Sequence, residues 1–352
     1  MTGFSALLEE QLAQGLIYGC VVMIGTPEEE LFFRAAGTAD RKSGVPMTRE
    51  ALFDMASVTK AVCTATLLAR LHAEGRIDYD APLTACLPEF RGKAAAIPTL
   101  RELAAHCSGI GNARPHYDPA MLQGSEALMA ALHEIPVPTL PGTEYVYSCA
   151  NYILLGLVIE KITGQALEQL AQKEIFAPAG MVRSSWGMPR PEFRNRTVHE
   201  YLPRGPIVPG EAAVPPEVWQ LHLADELPSD PTARWALPRR IGNAGLFSCA
   251  DDLARFARWL LKRPFPEETM RELCRNSAPA GLHPRSCGWD LEPTRVFSDS
   301  AIHHTGWSGQ SFWIDFERPL FALVLTNRSE EYARAKSGRL ELIRAALNET
   351  AK

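Results

Sequence analysis

At 352 residues, with 46% hydrophobic and 22% charged side chains, the chain is long enough for one large domain or two and too apolar to be disordered. Lys and Arg number 36 against 41 Asp and Glu, a net charge of −5 with no basic stripe, so nucleic acid is not an expected partner. Residues 1–16 carry Glu9 and Glu10 but no Lys or Arg, the reverse of an export signal, and no apolar run is long enough for a membrane span, so a cytoplasmic protein without membrane insertion is expected.

The order of elements follows from periodicity. Residues 4–14 alternate Leu and Ala with Glu and Gln at helical spacing and predict an amphipathic helix. Two apolar runs, 18–25 and 31–36, flank Thr26-Pro-Glu-Glu-Glu and predict a hairpin. Small and apolar residues recur from Ala61 to Leu71 and predict a helix from near Ser57 to about Glu74, ended by Gly75. From Asp78 to roughly Ala280 the character is helical: Leu100 to His106, Ser125 to His133, Asn151 to Thr163 closed by Gly164, Ala250 to Leu261 capped by Ser248, and about 266–275. Ten prolines crowd residues 186–240 and predict a long irregular loop, of the kind that serves as a lid or binding element. Strands return at 312–315 and 320–326, and an amphipathic helix closes the chain from Tyr332 to Leu347. Strands at both ends with helices between predict an α+β fold, an α/β sandwich. Its antiparallel sheet is built from residues 1–77 and 281–352, and a mostly helical domain, 78–280, is inserted.

Three patches carry chemistry. Ser57 and Lys60 lie one helical turn apart, which brings an amine within reach of a hydroxyl that needs a base to become a nucleophile. The same pair also suits an ordinary N-cap with Lys60 snorkelling to water, but Lys60 sits in an otherwise uncharged run from Ala56 to Ala69. Tyr145-Val-Tyr147-Ser-Cys149-Ala-Asn151 enters a helix, and a tyrosine beside a lysine ammonium is able to shuttle protons. His303-His304-Thr305-Gly306-Trp307 leads to a strand. Gly306 allows close approach of a substrate backbone, and the N–H groups of Ser57 and Trp307 suit an oxyanion. The eight cysteines, at 20, 63, 86, 107, 149, 249, 274 and 287, show no paired spacing and no zinc spacing with histidine, so reduced thiols are expected.

Taken in order, Ser57-x-x-Lys60, Tyr147-Ser-Cys149 and His304-Thr-Gly306 strongly resemble the serine β-lactamase and penicillin-binding-protein superfamily, in its class C-like branch, which also holds esterases and D-amino-acid peptidases. Leu103-Ala-Ala-His106-Cys-Ser-Gly109, Tyr147 to Gly156 and Ala244 to Leu253 look like further blocks of that family in the family's order. The resemblance implies a β-lactamase/transpeptidase-like fold and a covalent acyl-enzyme on Ser57. It further implies Lys60 and Tyr147 as the base pair, Ser57 and Trp307 as the oxyanion hole, Cys149, His304, Thr305 and Gly306 at the substrate, and no metal or organic cofactor. The Gly-x-Ser-x-Gly elbow of α/β-hydrolases is absent.

Two departures narrow the expectation. Cys149 stands where lactamases and penicillin-binding proteins usually carry Asn, and a thiol poorly replaces an amide. His304 stands where they usually carry Lys, and a histidine, with reference pKa near ~6.5, holds a substrate carboxylate less well. With no export signal, these point to a serine carboxylesterase acting on a small-molecule acyl substrate. A β-lactamase or D-amino-acid peptidase is the alternative, and a non-catalytic ligand-binding homologue the third. The sequence leaves the oligomeric state open, and Arg239 and Arg240 read as a solvated surface pair.

Overall fold

The computed structural model describes residues 3–90, 96–111, 128, 130, 132–198, 226–327 and 332–350. Val21, Val22 and Ile24, stiff at χ1, sit in β1 (Gly19–Gly25), a strand buried along its whole length. β1 pairs antiparallel with β2 (Glu30–Gly37) as the predicted hairpin and, on its other side, with β8 (Leu320–Thr326) from the far end of the chain. β7 (Gln310–Asp315) and β6 (Ile302–Thr305) complete five antiparallel strands in the order β2-β1-β8-β7-β6. The sheet is therefore made by the two termini, as the apolar patterns at both ends predict. β7 begins two residues earlier than expected, and β6 is an additional strand.

Side chains alternate across this sheet. Cys20, Val22, Ile24, Trp313, Ala322 and Val324 meet α1 (Phe4–Ala13) and the closing α2 (Tyr332–Thr350) through Phe4, Leu8, Leu342, Ile343 and Ala346. Val21, Met23, Phe312, Ile314, Leu323 and Leu325 face the opposite way, into the larger core that holds the Ser57 segment and the central helices. Burial of each such large side chain stabilises the fold by about 1.5–3 kcal/mol, so both faces are firmly held.

The Ser57 segment is not one α-helix. Lys60–Ala65 is a π-helical turn, and Thr66–Ala73 continues as α-helix, ended at Gly75 with φ +68°. Downstream, the helix Leu100–Ala104 opens with a capping box between Thr99 and Glu102. The helix Cys149–Thr163 begins two residues earlier than predicted and ends at Gly164 with φ +67°. The helix Ala250–Leu261 has Cys249, not Ser248, at its N-cap. Ser248 instead lies in β5 (Leu246–Ser248), which joins β3 (Phe53–Asp54) and β4 (Ser185–Trp186) in a small sheet behind the nucleophile segment.

The start of the helix expected from Ser125, residues 125–127, lies outside the described residues, as do residues 199–225 of the proline-rich stretch. The flanks of that stretch contain more order than its prolines suggest: a 3₁₀ helix at Pro191–Arg196 and a helical turn at Pro231–Ala236 that puts Pro231 at N1, where its missing N–H costs nothing. Arg239 and Arg240 are not a solvated pair. Arg239 bonds Glu160, and Arg240 donates to the Trp186 carbonyl at 2.8 Å.

Candidate active site

Ser57 follows a residue held in a strained conformation. Ala56 has φ +42°, and its N–H donates to Asp54 Oδ1 at 3.0 Å. The other Asp54 oxygen accepts from Ser229 N at 2.7 Å, and the Asp54 carbonyl accepts from Ser308 Oγ at 2.8 Å. Burial pushes the Asp54 carboxyl up, against these hydrogen bonds. Thr59 Oγ1 donates to the Ala56 carbonyl at 2.6 Å and accepts from Leu246 N at 3.0 Å, which ties the turn to β5. The Ser57 backbone N–H makes no hydrogen bond among the described residues, as an oxyanion donor requires.

Lys60 is fully buried. Its Nζ donates to Ser57 Oγ at 3.0 Å, to the Asn243 carbonyl at 2.8 Å and to Cys149 Sγ at 3.6 Å. Three acceptors fill the three donors of an ammonium. Burial alone lowers its pKa, but the charge interactions with Cys149 and Tyr147 outweigh it and shift the group upward. The resting Lys60 is therefore a charged donor to Ser57. The Asn243 carbonyl is placed by close packing at Gly242, where an added Cβ would lie 2.0 Å from the Tyr152 carbonyl, and by Thr64 Oγ1, which donates to Gly242 O at 2.6 Å.

Tyr147 packs beside this ammonium, with Lys60 Nζ 5.2 Å from its ring centroid. His106 stacks on the other side at 4.3 Å, held by Ser148 N and Asn151 Nδ2, which lie 3.2 and 3.3 Å from its Nδ1. Cys149, at the first turn of its helix, reaches Lys60, so its thiol contacts the catalytic candidates directly.

The Ser57 hydroxyl opens into a pocket of about 330 Å³ whose walls include Tyr147, His304, Thr305 and Trp307. His304, Thr305 and Trp307 are predicted residues from the far end of the chain, brought there by β6 and the turn after it. Gly306 does not line the pocket. A Cβ on Gly306 would lie 2.7 Å from the Met55 carbonyl and 2.5 Å from Gln310 Oε1, so the glycine admits a close approach of the protein's own backbone. His304 is buried, with Nδ1 2.9 Å from the Thr305 carbonyl. Burial, then the positive charges of Arg285 and Lys60, hold it well below the usual imidazole range, so it is neutral at pH 7.

Other wall residues escape sequence reasoning: Tyr145, His283, Arg285, Asp290, Glu292 and Lys336. Tyr145 comes from the loop before the Cys149–Thr163 helix, where the sequence places it in the Tyr147 patch without a role; the others come from the segment before β6 and from the last helix, and no spacing links them to Ser57. His283, Asp290 and Glu292 bring three donor atoms within 4.8 Å of one another, yet Asp290 already accepts from His283 at 2.9 Å and Arg285 Nη1 at 3.2 Å. A cation there would face the Arg285 charge. Burial pushes the Asp290 carboxyl up, but His283 and Arg285 outweigh it and hold it far below the carboxylate range.

A β-lactamase/transpeptidase-type fold carries this site, and the chain is a serine hydrolase of that superfamily. The Beta-lactamase family model matches residues 4–346, and the chain belongs to that family. It is 30% identical over 356 residues to Esterase EstB of Burkholderia gladioli, covering 93% of this chain and 90% of the relative. Among solved structures it resembles EstCE1, a hydrolase with promiscuous acyltransferase activity, at TM-score 0.77, 21% identity and 98% and 97% coverage of the two chains. A class C β-lactamase superposes at TM-score 0.75 and 17% identity, covering 98% and 94%. No described helix is long and apolar enough to cross a membrane, and all eight cysteines are free thiols.

Proposed function

We propose that the protein is a carboxylesterase acting on small ester substrates through a covalent acyl-enzyme on Ser57. The observation that carries this reading is the Lys60 ammonium, bonded at 3.0 Å to the hydroxyl of a serine that opens into a pocket. Lys60 orients Ser57, and Lys60 and Tyr147 together act as the base that takes the hydroxyl proton as Oγ bonds the acyl carbon. The carbonyl π-electrons move to oxygen, where the N–H groups of Ser57 and Trp307 receive the charge. Collapse expels the alcohol, protonated by Tyr147, and water repeats the sequence on the acyl-enzyme.

Preference for a neutral ester over a lactam is supported by His304, which is neutral and so is a poor anchor for a carboxylate, and by the thiol of Cys149 where an amide donor is absent. Similarity to an esterase agrees with it. The test is turnover of a short p-nitrophenyl ester beside a chromogenic cephalosporin by wild type and Ser57→Ala. The expected result is ester cleavage abolished by the substitution and little cephalosporin cleavage. Faster cephalosporin turnover would favour a lactamase, and ester turnover equal in both proteins would remove Ser57 as nucleophile.

A further inference from the structure

We infer that the pocket beside Ser57 takes the alcohol half of the ester, and that this alcohol is a neutral polyhydroxy compound, a sugar or a polyol. The inference rests on the carboxylesterase reading and names a substrate class for it.

Pockets for small molecules are usually lined chiefly by hydrophobic and aromatic side chains, with a few polar groups among them. This pocket, of about 330 Å³, has the opposite character: every described wall residue carries a side-chain nitrogen or oxygen, and none is aliphatic. An alkyl chain lying there would strip water from these groups and give them no partner in return. The groups that stay open are of both kinds. The Glu292 carboxylate, the Lys336 ammonium and the Thr305 hydroxyl make no hydrogen bond or ion pair among the described residues. His283, whose Nε2 lies 2.9 Å from Asp290 Oδ1, keeps Nδ1 free.

Charge narrows the ligand further. Along the wall, Arg285 and Lys336 are set against Asp290 and Glu292. Arg285 is 2% exposed, with its guanidinium carbon 5.8 Å from the Tyr147 ring centroid, and its Nη1 bonds Asp290 at 3.2 Å, so that pair is closed within the protein. The open pair is Glu292 and Lys336, both exposed. His304 is neutral, and Lys60 spends its donors on Ser57, Cys149 and the Asn243 carbonyl. A cationic ligand would meet Lys336 and an anionic one Glu292, whereas a hydroxyl donates to the carboxylate and accepts from the ammonium. Several hydroxyls on one small frame serve both ends of the wall at once. Tyr145 and Trp307 add aromatic rings against which the C–H face of such a frame packs. The alcohol half belongs here because Tyr147, which returns the proton to the leaving oxygen, is part of the same wall.

The test is acetate release from four acetate esters that differ in the alcohol: 6-O-acetylglucose, hexyl acetate, the cation acetylcholine and the anion 3-acetoxypropionate. For wild type the expected kcat/KM on the sugar ester is about tenfold or more above that on hexyl acetate, with the gain mainly in KM, and both charged esters fall below the sugar ester. Glu292→Gln is expected to cut the sugar-to-hexyl ratio severalfold and to shift preference toward 3-acetoxypropionate. Lys336→Met is expected to cut the same ratio and to shift preference toward acetylcholine. A merely structural change would not move the two charged esters in opposite directions. Hexyl acetate cleaved as well as the sugar ester by wild type, a charged ester preferred to it, or a ratio unmoved in either variant overturns the inference. Failure of the carboxylesterase reading looks different, because wild type would then cleave none of the four esters faster than Ser57→Ala.

Discussion

Lys60 illustrates how burial and hydrogen bonding jointly fix a protonation state. A fully buried amine is normally driven neutral, yet three acceptors at 2.8 to 3.6 Å hold this one as ammonium. Its part is then to orient Ser57 beside Tyr147, and its removal takes that away. Lys60→Ala is expected to lower kcat/KM on a p-nitrophenyl ester by about 10²–10⁴-fold with the fold retained. Near-normal turnover would release Lys60 from the mechanism. Ser57 and Lys60 are legible in the sequence because one helical turn separates them, and the contact is local. Arg285 is not legible, because an arginine in a loop reads as solvated until the chain is folded over it.

The decisive element is the end of β6 against the Ser57 turn. Ser308 Oγ bonds the Asp54 carbonyl at 2.8 Å, and Gly306 lies so close to the Met55 carbonyl that a side chain has no room. Two segments 254 residues apart are thereby held against each other beside Ser57. Gly306→Ala is expected to cost about 1–3 kcal/mol through overpacking and to lower kcat/KM as the strand end is pushed from Ser57. Thermal melting and ester kinetics check both, and unchanged values in the two would show that the strand end yields freely. Helix and strand existence followed from periodicity here, but the π-helical turn at Lys60–Ala65 did not, because hydrophobic spacing does not separate one extra residue per turn from an ordinary helix.

Across the whole molecule, buried histidines couple stability to pH. His106, His303 and His304 are held below the ordinary imidazole value, first by burial. A group whose folded pKa is depressed stabilises the fold above its unfolded value, near ~6.5, and that stability is lost as pH falls through the window between unfolded and folded values. Asp54, pushed up by burial, acts with the opposite sign: its contribution is present at low pH and is lost as pH rises through its folded value. A comparison of wild type with His303→Phe isolates one histidine, which lies at the back of the pocket wall near Asp290. The melting temperature of wild type is expected to fall more steeply than that of the variant between about pH 7.5 and 5.5. Parallel curves would show that His303 takes no part.

The sequence by itself determined the terminal hairpins, the central helices and the Ser57–Lys60 pair, because each depends on residues that are neighbours along the chain, through strand alternation, helical period or a single turn. Only the tertiary structure decided that Lys60 is a donor, that Gly306 faces the protein's own backbone, that His304 is neutral and that Arg285 stands beneath Tyr147. Those properties are set by burial and by Coulomb interactions between groups brought together from distant segments, and both depend on distance in space, which the order of residues does not state.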